Sequence, residues 1–411
     1  MTMSIKLKIG LVGFGCVGQG LYEVLNKSQL VHAEIVKIVV KTKDKPRSIA
    51  AHYFSYDVQD ILSDDSINTV VELIDDAAAA YVIVKAALDS GKHVISANKK
   101  LIAEHLEELI DLAKEKKVSF LYEASVCGSI PIIRNLEEYY NNDSLKALFG
   151  ICNGTTNYIL SQTNQGKTYD EALAEAQELG FAESDPTLDV DGFDAKYKLQ
   201  VLIKHAFGVV TQPDEVFNYG IRQLKEADIK FASEKGYRLK LIARAEKFGD
   251  KVIGFVAPHF VKSSNELYGV NDEFNAVIVE ALFSDRQLFV GKGAGSYPTA
   301  SAVLSDISAL SYGYKYEYKG GQGEHIIFSS SFLLPVYAGA TRFDLLEKLP
   351  FVEKEEVYQS DDYNYITGWV DFDEIKKIDF NEEKEMFFGV LPKSILLNER
   401  SFASQLAEEL H

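Results

Sequence analysis

Five carboxylates stand ahead of a lysine in the stretch Glu183-Ser-Asp-Pro-Thr-Leu-Asp-Val-Asp-Gly-Phe-Asp-Ala-Lys-Tyr-Lys198, at Glu183, Asp185, Asp189, Asp191 and Asp194. Carboxylates at this density can grip an ammonium group, and a lysine fixed beside them can hold or pass a proton. Asp194 and Lys198 lie one turn apart at the start of a helical pattern, so their side chains share a face. Leu199, Leu202, Ile203 and Ala206 recur at helical spacing and predict a helix over residues 194–207 with that stripe toward a core. The same residues also fit a solvated loop with an N-cap Asp and an ordinary ion pair. The rest of the chain has to decide.

A second constellation is Gly13-Phe14-Gly15-Cys16-Val17-Gly18, placed between a stretch over 6–13 that alternates and then runs apolar and a helical pattern through Leu21, Val24 and Leu25. The first glycine permits a tight turn, the second lets backbone approach a pyrophosphate, and the third lets helix pack on strand. That strand–turn–helix context is what the motif needs to read as a dinucleotide site. The next strand, over 34–40, lacks the terminal acid that would hold a ribose 2′-hydroxyl. Lys41, Lys43, Lys45 and Arg47 follow it instead. A cationic cluster there favours a 2′-phosphate, hence NADP over NAD, although NAD use stays possible and a solvated basic loop is the plainer reading.

Further strands are predicted over 68–74, 92–97 and 119–123, with a helix over 77–90. The strand over 92–97 ends in Asn98-Lys99-Lys100, which puts Lys99 at the carboxyl end of a parallel strand, where open α/β sheets bind ligands. Strands over 145–152, 252–260, 275–283 and 287–290 alternate with helices over 169–179, 194–207 and 221–235. The fold class is therefore α/β: a Rossmann-type dinucleotide-binding domain, an α+β substrate and dimerisation domain, and a small C-terminal α+β extension. The boundaries read as 1–135 with about 300–318 returning to it, then 136–299, then 320–411.

Composition narrows the function classes. The chain has 411 residues, 46% hydrophobic and 25% charged, with 43 basic against 61 acidic residues and a net charge of −18. That balance argues against nucleic acid or an anionic membrane as partner. No apolar run is long enough for a membrane span, and the first strand starts too early for a signal peptide. Cys16, Cys127 and Cys152 are widely spaced and predict neither a disulfide framework nor a metal site. The expectation is a cytoplasmic enzyme acting on a small molecule.

The ordered set of segments resembles the homoserine dehydrogenase family. It comprises the glycine motif, Ser96-Ala-Asn-Lys99, Glu123-Ala-Ser-Val-Cys-Gly-Ser-Ile-Pro-Ile-Ile133, Asn153-Gly-Thr-Thr-Asn-Tyr158, the acidic stretch to Lys198, Gly269-Val-Asn271 and Gly291-Lys-Gly-Ala-Gly295 with Pro298-Thr-Ala-Ser-Ala302. The resemblance implies NAD(P)H-dependent reduction of L-aspartate 4-semialdehyde to L-homoserine, by a homodimer on the route to threonine, methionine and isoleucine. It implies a catalytic set of Lys198, Lys99 and Asp194, with Glu183 taking the substrate amino group and Asp189 lining the pocket. The implied cofactor set is Gly13, Gly15, Cys16, Val17, Gly18, Lys41, Asn98, Lys99 and Gly293. A monovalent cation, usually sodium, is implied on the backbone carbonyls of Glu123, Val126, Gly128 and Ile130.

The chain departs from that family in places. Asp75-Asp76 stand where it usually has glycines, and Cys127 and Ser129 replace glycines that often flank Gly128. Cys152 could be mistaken for a nucleophile, but a small buried residue is the expected role. Residues 312–323 are Tyr-, Lys- and Gly-rich and read as a linker or exposed hairpin. The tail over 325–391 should supply strands and one helix, without the Arg-Pro-Gly-Val-Leu-type turn of the family's amino-acid-sensing domain. It is either a degenerate sensor or a dimer-stabilising unit, and inhibition by threonine should be weak or absent. Two other readings stay open: a related oxidoreductase for another small amino or hydroxy acid, and a regulatory protein that holds NADP without turning it over.

Overall fold

The computed structural model describes residues 6–28, 31–43, 45–318, 325–378, 380 and 385–397. Short, mainly apolar stretches rich in Val and Ile make the first unit's strands, β1 (Leu7–Val12), β2 (Ala33–Val39), β3 (Phe54–Ser55), β4 (Thr69–Glu72), β5 (His93–Ser96) and β6 (Phe120–Leu121). They pair in the order β3-β2-β1-β4-β5-β6, parallel throughout. Helices α1 (Cys16–Lys27), α2 (Gln59–Leu62), α3 (Ala77–Asp89), α4 (Lys99–Lys116) and α5 (Ile132–Glu138) accompany it. The strand order reverses between β1 and β4, and ligands bind such sheets outside the carboxyl ends at that switch point. The strand expected over 119–123 is only β6. Beyond it Glu123 turns away, its N–H donating to Asp306 Oδ2 at 2.9 Å and its carboxylate accepting from the N–H groups of Ile133 and Arg134.

The second unit is a mixed sheet. It contains β7 (Leu145–Ile151), β8 (Phe217–Asn218), β9 (Tyr237–Phe248), β10 (Lys251–Lys262), β11 (Phe274–Ala281) and β12 (Arg286–Lys292). Its helices are α6 (Gly154–Thr163), α7 (Tyr169–Glu178), α8 (Thr187–Val190), α9 (Phe193–Phe207) and α10 (Glu226–Glu234). The helix expected over 221–235 is confined to α10, and β9 was not anticipated. Its sequence does alternate, with Leu239, Leu241, Ala243 and Ala245 on one face, but Lys240 and Arg244 on the other face are buried as well. Helix α9 is flanked by Gly192, at φ 84°, and Gly208, at φ 75°, and both glycines take a left-handed turn that a side chain would oppose. It is buried on almost every face and packs against α4, β9 and β10. Helix α11 (Ser296–Ser311) returns to lie on α1, where Ser296 Oγ donates to the Cys16 carbonyl at 2.8 Å.

The tail holds β13 (Ile327–Phe328), β14 (Phe332–Ala340), α12 (Phe343–Glu347), β15 (Phe351–Tyr358), β16 (Asn364–Asp371), α13 (Phe372–Ile375), β17 (Met386–Val390) and β18 (Leu396–Leu397). Strands β17, β14, β16 and β15 lie side by side, and β17 pairs with β10 at Val390 and His259, so the extension continues the mixed sheet. The stretch read as a linker or exposed hairpin is docked as far as Tyr318. Tyr316 is buried, with its ring against Tyr122 and His205. Residues 319–323 of that reading lie outside the described residues. No helix among the described residues is long and apolar enough to cross a membrane.

Candidate active site

The start of α9 carries the central carboxylate. Asp194 is 3% exposed, and its Oδ2 accepts from Lys198 Nζ at 2.6 Å, one turn along the same helix. Its Oδ1 lies 2.6 Å from Lys99 Nζ, which enters from the first turn of α4 and is 42% exposed. Lys198 Nζ also donates to the Cys152 carbonyl at 2.6 Å. The two lysines, one from each unit, are thus joined through one buried carboxylate.

Charge settles the protonation of this trio. Burial alone would push the Asp194 carboxyl up, but Lys198 and Lys99 outweigh it and hold it far below the usual carboxylate range. Burial would likewise lower the Lys198 ammonium, yet the Asp194 charge and hydrogen bond, with the neighbouring Cys127 sulfur, keep it above the ordinary lysine range. Asp189 moves the other way. Burial, and then the nearby Asp194 charge, raise its carboxyl.

These groups face a cleft of about 540 Å³ lined by Lys99, Lys198, Asp194, Asp189 and Glu183, with Val17, Gly128 and Gly293 on the cofactor side. Glu183 is exposed at its mouth. Of the predicted set, Gly13, Gly15, Cys16, Gly18, Lys41, Asn98, Glu123, Val126 and Ile130 do not line this volume. Asn98 is occupied locally: its Oδ1 caps α4 at the Leu101 N–H and its Nδ2 donates to the Ile74 carbonyl. Asp75 lines the cleft, while Asp76 caps α3 by accepting from the Ala79 N–H, so the acids in place of glycines have separate tasks. Cys152 is buried at the end of β7 and contributes its carbonyl, not its thiol, to the site.

The glycine turn has the shape of a dinucleotide cradle. A side chain at Gly13, whose φ is 97°, would meet the Leu73 carbonyl at 2.6 Å, and one at Gly18 would meet the Gly13 carbonyl at 2.5 Å. At Gly15 it would enter open space at the N-terminus of α1, which is where a pyrophosphate is held. Gly13 N–H donates to Val39 O at 2.9 Å, bringing the end of β2 and the exposed Lys41 beside this turn. Arg47 donates to the Thr42 carbonyl and lies over the Phe54 ring, which braces the same basic loop.

Two residues of this site had no role in the sequence reading. Asn153 Nδ2 donates to Asp189 Oδ1 at 2.7 Å and to Asp194 Oδ2 at 2.9 Å, while its Oδ1 caps α6 at the Thr156 N–H. Its place before Gly154-Thr-Thr gave the capping signal. Its link to carboxylates far along the chain gave none. Asn275, whose Nδ2 donates to the Cys152 carbonyl at 3.0 Å, escaped for the same reason.

Residues 131–308 match the family model described as homoserine dehydrogenase, and residues 13–123 match that of the homoserine dehydrogenase NAD-binding domain. The homoserine dehydrogenase of Lactococcus lactis subsp. lactis is 38% identical over 315 residues, covering 74% of each chain. That of Bacillus subtilis is 38% identical over 314 residues, covering 74% of this chain and 72% of its own. Among solved structures, a homoserine dehydrogenase from Thiobacillus denitrificans superposes with a TM-score of 0.82 at 30% identity, covering 94% of this chain and 98% of that one. A hyperthermophilic archaeal homoserine dehydrogenase in complex with NADPH gives a TM-score of 0.66 at 28% identity, covering 76% and 99%.

Proposed function

The chain belongs to the homoserine dehydrogenase family, and from that premise we propose how its own residues carry the reaction. That reaction is the reversible, nicotinamide-dependent reduction of L-aspartate 4-semialdehyde to L-homoserine, in threonine, methionine and isoleucine biosynthesis. The observation that carries the proposal is the single carboxylate, Asp194, bound to both Lys99 and Lys198 inside the cleft.

The nicotinamide supplies or accepts the hydride when bound. Lys198, kept as an ammonium by Asp194, donates the proton to the substrate oxygen as the carbonyl is reduced. Lys99 closes the opposite wall and balances the second oxygen of Asp194. Glu183 takes the substrate ammonium at the mouth of the cleft, and Asp189, held by Asn153, lines the substrate's path. The glycine turn and Gly293 receive the cofactor, and Lys41 favours NADP by facing the 2′-phosphate.

A monovalent cation, sodium by preference, belongs to the same reading, on the carbonyls of Glu123, Val126, Gly128 and Ile130. Cys127 and Gly128 are both left-handed, at φ 53° and 55°, which turns the backbone sharply between Val126 and Ile130. The Glu123 and Ile130 carbonyls each accept one backbone hydrogen bond, at 3.3 and 2.8 Å, which leaves a lone pair on each. The enzyme is further proposed to be a cytoplasmic homodimer divided at residues 1–135 with 300–318, 136–299 and 320–411. Exposed Leu282, Phe283, Leu288 and Val290 near the β11–β12 edge of the mixed sheet support a partner there.

A steady-state assay of L-homoserine oxidation with NADP and NAD, run on wild type and Lys198→Met, tests the reading. Turnover that falls with the substitution is expected. Absence of turnover in the wild-type enzyme with either cofactor overturns it.

A further inference from the structure

Helix α9 turns two of its lysines to different sides. Lys198 faces the cleft, while Lys196, two residues earlier and so about 200° around the helix, lines a separate cavity. That cavity holds about 280 Å³ between the start of α9, the segment over 213–223 and the extension. Lys196 is 8% exposed, yet its ammonium makes no hydrogen bond or ion pair among the described residues. It lies over the Phe193 ring, 5.0 Å from the centroid. Buried charges are ordinarily paired, so a lone one in a cavity wall is a contact waiting for an anion.

The other charges facing this cavity are committed or set apart. Arg222 Nε and Nη2 donate to the two oxygens of Asp191, at 2.7 and 2.9 Å. Lys376 Nζ donates to the Glu215 carbonyl at 3.1 Å. Asp214 is exposed and makes no ion pair with Lys196. Burial lowers the Lys196 ammonium, and the Asp214 charge offsets this only in part. Phe217, Ile378 and Phe380 give the cavity apolar surface, with the Phe380 ring edge-on to Phe217 and Tyr219 at 6.1 and 4.9 Å.

We propose that this cavity is a binding site for a small organic carboxylate with an apolar body, whose charge Lys196 pairs and whose body rests on Phe217, Ile378 and Phe380. One uncommitted ammonium matches one negative charge. A phosphate would need further cations, and Arg222 and Lys376 are already engaged. The occupant adds a link between α9 and the extension, on the side of the helix away from the cleft. The site lies outside the reaction assigned above and does not depend on it.

The test takes the full-length enzyme and sodium 4-methylpentanoate, with equal sodium chloride and 4-methylpentan-1-ol as controls, and reads melting temperature and calorimetric binding. The expected result is a saturable rise in melting temperature with the carboxylate and none with either control. Lys196→Met keeps the apolar stem and loses the charge. It should weaken binding roughly ten- to a hundredfold, the worth of one hydrogen bond to a charged group. Binding unchanged in Lys196→Met belongs to the cleft lysines and overturns the proposal. Equal binding of the alcohol overturns it too, because the cavity is then merely apolar, and so does the lack of any saturable binding. A second measurement needs no variant. Acetic anhydride should acetylate Lys196 in the free enzyme, and the carboxylate should slow that labelling several-fold by peptide mass spectrometry. A Lys196 that stays unlabelled, or labels at the same rate with the carboxylate present, overturns the site. These readouts do not use turnover, so they stand whether or not the chain oxidises homoserine.

Discussion

Lys99 Nζ and Asp194 Oδ1 are 2.6 Å apart, an ion pair made across the cleft between the first turns of α4 and α9. The pair joins the parallel-sheet unit to the mixed-sheet unit at the site itself. Its members differ in freedom: Asp194 is 3% exposed and bonded on both oxygens, while Lys99 is 42% exposed. Lys99 is therefore the partner able to exchange Asp194 for an incoming group, and Lys198 the one whose position the fold dictates.

Asn153 should prove to be a positioning residue. Asn153→Asp keeps the oxygen that caps α6 but replaces the amide that donates to Asp189 and Asp194 by a third negative charge. Hydrogen bonds to charged groups are worth about 1.5–3 kcal/mol, so turnover should fall roughly ten- to a hundredfold with little loss of melting temperature. Asn153→Ala should lose both turnover and stability, because the cap disappears too. Equal losses of stability in the two variants would contradict this division of labour.

Cofactor preference should follow Lys41. NADPH is expected to be used more efficiently than NADH, and Lys41→Asp should penalise NADPH by placing like charge beside the 2′-phosphate. The ratio of kcat/KM values for the two cofactors is the measurement. A ratio that does not change on substitution would make the basic cluster a solvated loop.

The extension should behave as a fixed part of the fold. Buried Asp228 on α10 accepts from the hydroxyls of Tyr337, at 2.9 Å, and Tyr363, at 2.6 Å, and from the Lys225 N–H. Burial pushes its carboxyl up to about 7. The unfolded chain releases this proton near 3.8, so the contribution to stability is fully present below about pH 4 and is lost as pH rises through 7. Asp228→Asn should flatten that part of the melting-temperature profile. Asp228→Ala should cost a few kcal/mol by stranding buried hydroxyls. Threonine inhibition should be weak or absent, and a saturable threonine effect in the intact enzyme would show that this fixed unit still senses an effector.

What the sequence made legible was whatever is local. The glycine turn, the helix over 194–207 and the pairing of Asp194 with Lys198 all follow from spacing within a few residues. Lys99 reaches the cleft because the end of a parallel strand has one geometry, whereas Asn98 is taken up in capping α4. The contacts of Asn153 and Asn275 depend on segments brought together by the mixed sheet, and no short-range pattern encodes them. Strand β9 was legible as an alternation of Leu239, Leu241, Ala243 and Ala245 with charged residues and was overlooked, while the burial of Lys240 depends on Asn157 and the Val270 carbonyl, which lie elsewhere in the chain. Tyr316 read as linker since its burial depends on His205, a residue of α9.

The assignment of the proton to Lys198 makes the sharpest prediction. Only the neutral amine can accept a proton from homoserine, and Asp194 holds Lys198 above the ordinary lysine value of about 10.4. The neutral fraction then grows about tenfold for each pH unit across the workable range. Homoserine oxidation should climb with pH without reaching a plateau, whereas semialdehyde reduction uses the ammonium and should be served well at neutral pH. Asp194→Asn removes the charge that raises Lys198 and leaves burial unopposed, so the alkaline limb should move to lower pH even as turnover falls. Lys198→Met should abolish the limb and cut turnover by roughly 10²–10⁴, with NADPH affinity little changed. Glu183→Gln should mainly raise the Michaelis constant, since it acts on the substrate ammonium. If Lys198→Met keeps wild-type turnover and its alkaline limb while Lys99→Met loses both, the proton belongs to Lys99, and Lys198 holds substrate instead.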